Sequence, residues 1–347
     1  MPKLTSLAVL AAAGLFCSTL AAGARDLSVV SWGGVYQEAQ EKVYFDPFRA
    51  KTGTKMTAES WDGGVGVLRA KVQGGSSNWD VVQVESEELA LGCEEGLFEK
   101  LDWAKIGGKD MYLPAAVSEC GVGAIIYDFN LAYDGDKLKD GPKSWADFFD
   151  LQKFPGKRSL RQGPKTTLEI ALMGDGVKPS EVYEVLKTEA GVDRAFKKLE
   201  TIKDQIIFWK AGAQPPQLLA SGEVAMTVAY NGRISAANAK DKKNFKLVWN
   251  EALYTIDSWV ILKGSPNLEA AYKFLDFVGK AEAQKELPTH IAYGVPNKAA
   301  NAMIDAKILS DLPTNGANMA NAQRIDDQFW LENIDRLNER FNKWAAK

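Results

Sequence analysis

The chain has 347 residues, of which 46% are hydrophobic and 10% aromatic, and its 42 Lys and Arg against 45 Asp and Glu give a formal net charge of −3. That near balance, without a concentrated basic run, excludes nucleic acid and anionic membrane surfaces as partners, because phosphate binding requires a basic face. The apolar content supports a stable fold, and the length exceeds what one core usually holds, so two domains are expected.

In chain order, the first feature is Lys3, an apolar run from Leu7 to Leu20, and Ala22-Gly23-Ala24 before Arg25. This pattern predicts a cleavable export signal over residues 1–24 and a periplasmic mature protein. Cys17 raises the alternative of a lipid-modified N-terminus, but Phe16 stands where such a signal wants a small residue. No later stretch approaches the roughly 18 to 20 apolar residues of a membrane span. Cleavage would leave Cys93 and Cys120, which an oxidising compartment favours as a disulfide over a metal or redox site; two separate buried thiols are the alternative.

Leu27–Ser31 reads as the first strand, followed by Gly33-Gly34 and a helix carrying Val35, Ala39, Val43 and Phe48 that ends at Thr52-Gly53. Trp79–Val84 and Val122–Tyr127 are the next buried strands. Pro142–Phe154, with Trp145, Phe148 and Phe149, reads as a helix opening a second lobe. Val224–Tyr230 and Ser258–Leu262 are further strands, each preceding a helical segment, and 320–347 is an amphipathic packing helix with Ile325, Phe329, Ile334, Leu337, Phe341 and Trp344 on one side. Strands alternating with helices predict an α/β protein built from parallel sheets.

The catalytic inventory is thin. His290 is the single histidine, and no Gly-x-Ser-x-Gly elbow accompanies it. Asp134-Gly135-Asp136 and Asp326-Asp327 lack calcium-loop spacing, and neither Gly63-Gly64-Val65-Gly66 nor Gly74-Gly75 makes a phosphate loop. No metal or cofactor is expected, and an exported hydrolase using His290 or an acid pair ranks last. A receptor is the favoured reading, because aromatic and polar residues follow the predicted strands where open α/β sheets bind ligands.

Seven segments then carry a family resemblance: Ser31-Trp32-Gly33-Gly34, Asp80-Val81-Val82, Pro142–Asp147, Ser221–Met226, Tyr230-Asn231-Gly232-Arg233, Asp257-Ser258-Trp259 and Tyr293–Asn297. In this order the chain resembles the periplasmic spermidine/putrescine-type solute-binding proteins of ABC importers. The resemblance implies a two-lobed periplasmic binding protein fold of the type II kind. Each lobe would be a mainly parallel sheet flanked by helices, with a hinge between lobes 25–128 plus 257–300 and 129–256 plus 301–347. It also implies a monomer that hands its ligand to a membrane permease without chemistry. By the same resemblance Asp257 holds an amino group, Tyr230 and Tyr293 are aromatic walls, Trp32 and Trp61 lie on cleft loops, and Ser86 is a polar contact.

The departures bear on the ligand. Where the polyamine pattern carries further acids after Leu160, this chain reads Arg161-Gln162-Gly163-Pro164-Lys165-Thr166. Arg233 falls at a predicted helix N-terminus, whose free N–H groups and dipole favour an anion. A cationic anchor at Arg233 and an anionic one at Asp257 suit a zwitterion with separated ends, such as γ-aminobutyrate. Two alternatives remain open: Arg233 paired internally with Glu223 or Asp257, and Glu85 serving as the second acid of a strict polyamine site. Trp209 reads equally as cleft lining or packing. A sugar receptor, favoured by ten tryptophans, would use Asp257 and Arg233 poorly.

Overall fold

Strand β1, Leu27–Ser31, lies between β2, Met56–Ser60, and β3, Val81–Val84, and is parallel to both. All five β1 residues and all four of β3 are buried, as strands covered on both faces require. The computed structural model describes residues 25–74 and 78–346, so the export-signal reading of 1–24 and Gly75 lie outside the described residues. After β1, Gly33 and Gly34 take positive φ angles of 62° and 56°. At Gly34 any Cβ would come within 2.9 Å of the Arg233 guanidinium, so the glycine permits a close approach as well as a turn. The expected helix follows as Gly34–Gln40, a π turn over Glu41–Phe45 and Asp46–Thr52, ending on left-handed Gly53.

The middle of the chain supplies β4, Gly121–Asp134, and then a second parallel trio, β5, Arg158–Arg161, β6, Ile206–Trp209, and β7, Met226–Tyr230. Here β5 lies between β6 and β7 as β1 lies between β2 and β3. The last long strand is β8, Phe245–Ile261, with the short β9, Gln323–Arg324, beside it. The sheet order is β2-β1-β3-β8-β4-β7-β5-β6, so two half-sheets of one topology meet through β8 and β4.

Two sequence expectations need correction. Val122–Tyr127 and Ser258–Leu262 are not members of parallel βαβ units. They belong to strands of 14 and 17 residues, antiparallel to each other, with β8 antiparallel to β3 and β4 antiparallel to β7. An apolar run shows that a strand is covered on both faces but not the direction of its partners. The Pro142–Phe154 helix shrinks to Trp145–Phe149. Its Trp145 donates from the backbone N to the Glu251 carboxylate at 3.0 Å and from Nε1 to the Glu251 carbonyl at 2.8 Å. Glu251 has a φ of 62° and sits where the β4–β8 register jumps, Phe129 facing Leu253 but Leu131 facing Val248. β4 also changes company there, pairing with β7 from Phe129 onward.

The closing helix is Asp327–Ala345, capped by Asp326, whose carboxylate accepts from the Phe329 N–H at 3.0 Å. Phe329 packs on Tyr183, Phe341 on Phe208 and Trp344 on Phe196, confirming a packing role. Ile325 is buried just before the helix.

Cys93 and Cys120 form a disulfide with Cα atoms 5.7 Å apart, tying the helix Ser86–Glu94 to the start of β4 across a separation of 27 residues. Closing a loop of that length removes about 3 to 4 kcal/mol of unfolded-chain entropy. Replacing both cysteines by serine is expected to lower Tm by several degrees in a thermal melt; an unchanged Tm would mean that the reduced chain keeps this contact by packing alone.

Candidate ligand-binding site

Parallel α/β half-sheets bind at the carboxyl ends of their strands, between the first strand and the one on its other side, because loops diverge there. Both halves turn that edge toward one cleft. Trp32 follows β1, Glu85 follows β3, Arg161 ends β5 and Tyr230 ends β7, with Arg233 in the first turn of the helix Asn231–Asp241. The long strands cross the floor: Ile125 of β4 is in register with Asp257 of β8, and Tyr127 follows two residues on. Tyr293 is carried in by the backbone bridge between Gly294 and Ile126.

These residues line one cavity of about 490 Å³ counting its mouth, of which the centre of a water molecule can reach only about 50 Å³. At about 10 to 15 Å³ per water on that measure, the enclosed part suits a compact ligand. Of the residues singled out in the sequence, Trp32, Trp61, Tyr230, Arg233, Asp257 and Tyr293 come together here. Two do not. Ser86 shares a hydrogen bond with the Thr255 hydroxyl at 3.1 Å outside this cavity, because the preceding residue, Glu85, takes the lining position. Trp209 is fully buried behind Tyr230, their rings 5.5 Å apart, and serves packing.

The walls are aromatic. Trp32 and Trp61 stack with centroids 5.2 Å apart, and Tyr36 meets Tyr293 edge-on at 5.2 Å. Burial raises the Tyr127 and Tyr230 phenols well above their ordinary value and pushes Tyr293 up to about 12, so all three are neutral hydroxyls. Such walls cover methylenes and attract an ammonium through their ring faces.

Asp257 is buried, with one carboxylate oxygen accepting from Gln83 Nε2 at 3.3 Å and the other, Oδ1, accepting no hydrogen bond. Burial first, and then the nearby charge of Glu85, raises its pKa well above the usual carboxylate range. Gln83 is itself fixed by Tyr36 at 2.8 Å and Gln40 at 2.8 Å, so the carboxylate has an ordered support. Arg233 donates to the carbonyls of Gly33 at 3.1 Å and Trp32 at 3.2 Å, and its Nε makes no hydrogen bond. No carboxylate lies within ion-pair distance of it among the described residues, so it pairs with neither Glu223 nor Asp257.

Glu85 is different. Arg161 grips it with two contacts, 2.9 and 3.0 Å, and Lys165 adds a third at 3.3 Å while also pairing with Glu87. Burial pushes the Glu85 carboxyl up, but Arg161 and then Lys165 outweigh it and bring the pKa to about 2. The second acid that the sequence offered to a diamine is thus committed to protein cations. Among the described residues, four cavity atoms make no hydrogen bond of good geometry, the donors Trp32 Nε1, Tyr127 OH and Arg233 Nε and the acceptor Asp257 Oδ1, and the Tyr127 hydroxyl is near enough to Asp257 to lower the pKa of that carboxyl.

Sequence reasoning missed Tyr36, Asp62, Ile125, Tyr127, Arg161 and Lys210 as cavity residues. Tyr36 and Tyr127 carry the same apolar periodicity as core positions, and nothing in their spacing separates wall from core. Arg161 was noticed for breaking an acidic pattern, and its place at the end of β5 was the available signal.

Two outcomes follow. A carboxyl whose folded pKa is raised costs stability as pH rises above its unfolded value. Asp257→Asn is therefore expected to keep or raise the ligand-free Tm while weakening any ammonium ligand roughly 100-fold by calorimetry; undiminished affinity would remove Asp257 from the site. Glu85 has the opposite sign: its depressed pKa makes the ion-pair contribution complete above about 4.5 and lost as pH falls toward about 2. The Tm gap between wild type and Glu85→Gln is expected to shrink across that window, and a constant gap would mean that the pair is not formed in solution.

The family model for bacterial extracellular solute-binding proteins matches residues 43–316. A γ-aminobutyric acid-binding protein of Pseudomonas aeruginosa is 44% identical over 332 residues, covering 96% of this chain and 94% of the relative. A putrescine-binding periplasmic protein of the same species is 27% identical, covering 88% of each chain. The crystal structure of a periplasmic binding protein from A. tumefaciens in complex with glucopine aligns with a TM-score of 0.87 at 32% identity, covering 92% of this chain and 99% of the other. These relatives are binding proteins rather than enzymes, and the chain shares the fold of the periplasmic binding protein aligned with it. The chain belongs to the bacterial extracellular solute-binding proteins, the substrate-capturing components of ABC transporters.

Proposed function

We propose that this receptor captures γ-aminobutyrate or a similarly compact ω-amino acid in the periplasm and presents it, as a monomer, to the permease of an ABC importer. The carrying observation is the set of unpartnered cavity atoms, three donors and one carboxylate oxygen, enclosed by aromatic walls. Asp257 receives the ammonium. Arg233 Nε and Trp32 Nε1 are donors for the carboxylate end, and the Tyr127 hydroxyl stands beside Asp257 at the ammonium end. Burying either ligand charge unmatched would cost several kcal/mol, so a ligand bearing both charges is favoured. The identity to a γ-aminobutyric acid-binding protein supports the same ligand. The small enclosed volume disfavours a long polyamine or a sugar conjugate, and the commitment of Glu85 to Arg161 disfavours a diamine.

In this reading residues 1–24 are the export signal, and 25–128 plus 257–300 and 129–256 plus 301–347 are the two lobes. The change of β4 from pairing with β8 alone to pairing with β7 as well, at Phe129, supports that division. Arg161 and Arg233 reach across from the second lobe to Glu85, Trp32 and Gly33 of the first, as closure over a ligand would require.

The test is a thermal-shift and calorimetric titration of the mature protein with γ-aminobutyrate, β-alanine, 5-aminovalerate, putrescine and glucopine. A ligand at 100 times its Kd stabilises the native state by about 2.7 kcal/mol, which raises Tm by several degrees. Shifts with the ω-amino acids and none with putrescine are expected; a shift with putrescine or glucopine alone would overturn the proposal.

A further inference from the structure

We propose that Arg161 is the specificity-determining residue that denies this cavity to diamines, by holding in an ion pair across the cleft the second of two carboxylates that line it. The inference rests on the ω-amino acid reading above and adds the reason for its selectivity. Glu85 and Asp257 both face the cavity, and Glu85 is near enough to raise the Asp257 pKa. Two carboxylates with aromatic walls between them are the complement of a molecule with an ammonium at each end. What cancels that complement is the fork of Arg161. Its two nitrogens sit 2.9 and 3.0 Å from the two Glu85 oxygens, and its guanidinium lies 5.8 Å from the centre of the Phe129 ring.

Geometry makes Arg161 the decisive cation. It ends β5 and lines the cavity, so it meets both Glu85 and any ligand end placed there. Lys165 also touches Glu85, at 3.3 Å, but it does not line the cavity and it is shared with Glu87. A guanidinium held bidentately is a fixed positive charge that an incoming ammonium cannot displace without breaking two part-buried contacts. A diamine seated on Asp257 would direct its far ammonium into a cavity that also holds Arg161, Arg233 and Lys210. Selectivity by built-in repulsion of this kind rejects a competitor without weakening the preferred ligand.

The test measures putrescine and γ-aminobutyrate binding by calorimetry and thermal shift for wild type, Arg161→Gln, Arg161→Lys and the double variant Arg161→Gln with Glu85→Gln. Arg161→Gln is expected to gain roughly tenfold or more in putrescine affinity. Arg161→Lys should keep putrescine excluded, and the double variant should lose the gain, because the carboxylate that would hold the second ammonium is gone. A folded Arg161→Gln with putrescine affinity no better than wild type, or a double variant that binds putrescine equally well, would overturn the proposal. If Arg161→Gln does not fold, Arg161→His replaces it, and its putrescine affinity must rise between about pH 6 and about pH 9, as the imidazole loses its charge, by more than that of wild type, where the raised Asp257 carboxyl titrates without it; a profile no steeper than that of wild type overturns the proposal. A wild type that ignores γ-aminobutyrate refutes the ligand reading alone, because the putrescine comparison between wild type and Arg161→Gln still decides the role of Arg161.

Discussion

The antiparallel ladder between β4 and β8 is the constraint on which the rest of the molecule depends. Because the two strands run in opposite directions, each continues one half-sheet at its own end: β8 against β3, and β4 against β7. That arrangement turns the carboxyl ends of both parallel trios toward the same cleft. It also places Asp257 and Ile125, partners in the ladder, on the cavity floor. The register jump between Phe129 and Leu131 gives the ladder its irregular point, where Trp145 holds Glu251 in its left-handed conformation. An irregularity of this kind bends a strand and strengthens its twist.

Electrostatics in the cleft follow from burial. Removing an ion from water costs several kcal/mol, so each buried charge must find a partner, in the protein or in a ligand. Glu85 finds it in Arg161 and Lys165, and its pKa falls to about 2. Asp257 has neutral groups beside it, the Gln83 amide and the Tyr127 hydroxyl, and burial raises its pKa. Two acids on one cavity are thereby divided, one paired with protein cations and one beside neutral groups. The stability gained from such a buried pair is modest once desolvation is counted, and its value lies in deciding which charges remain for the ligand. The aromatic walls act with this division, since Trp32, Trp61, Tyr36 and Tyr293 exclude water around the charged ends and hold one another by stacking and edge contacts.

Much of this was legible in the residues. Alternating strands and helices, the glycine turn after Ser31, the left-handed stop at Gly53 and the amphipathic tail are local patterns, governed by side-chain period and backbone sterics, and each appears close to where the spacing puts it. Trp32 stood out as following a strand, Arg233 as a cation at a helix N-terminus and Asp257 through the family resemblance alone, and all three line the cavity. Ser86 and Trp209 were misplaced because a shift of one residue reverses which face a side chain takes, and no spacing rule supplies that phase. Tyr36 and Tyr127 escaped because a tyrosine in a cavity wall and one in a core share the same periodicity.

By itself, then, the sequence determined the α/β class from composition and period, and the receptor reading with the help of seven family-like segments. Tertiary structure alone decided the antiparallel course of β4 and β8, and the fates of Arg233 and Glu85. Glu85 and Arg161 are 76 positions apart in the chain, and their pairing arises only because two half-sheets face each other across a cleft. Charge pairing depends on distance in space and on exclusion of water, and neither is written in the order of the residues.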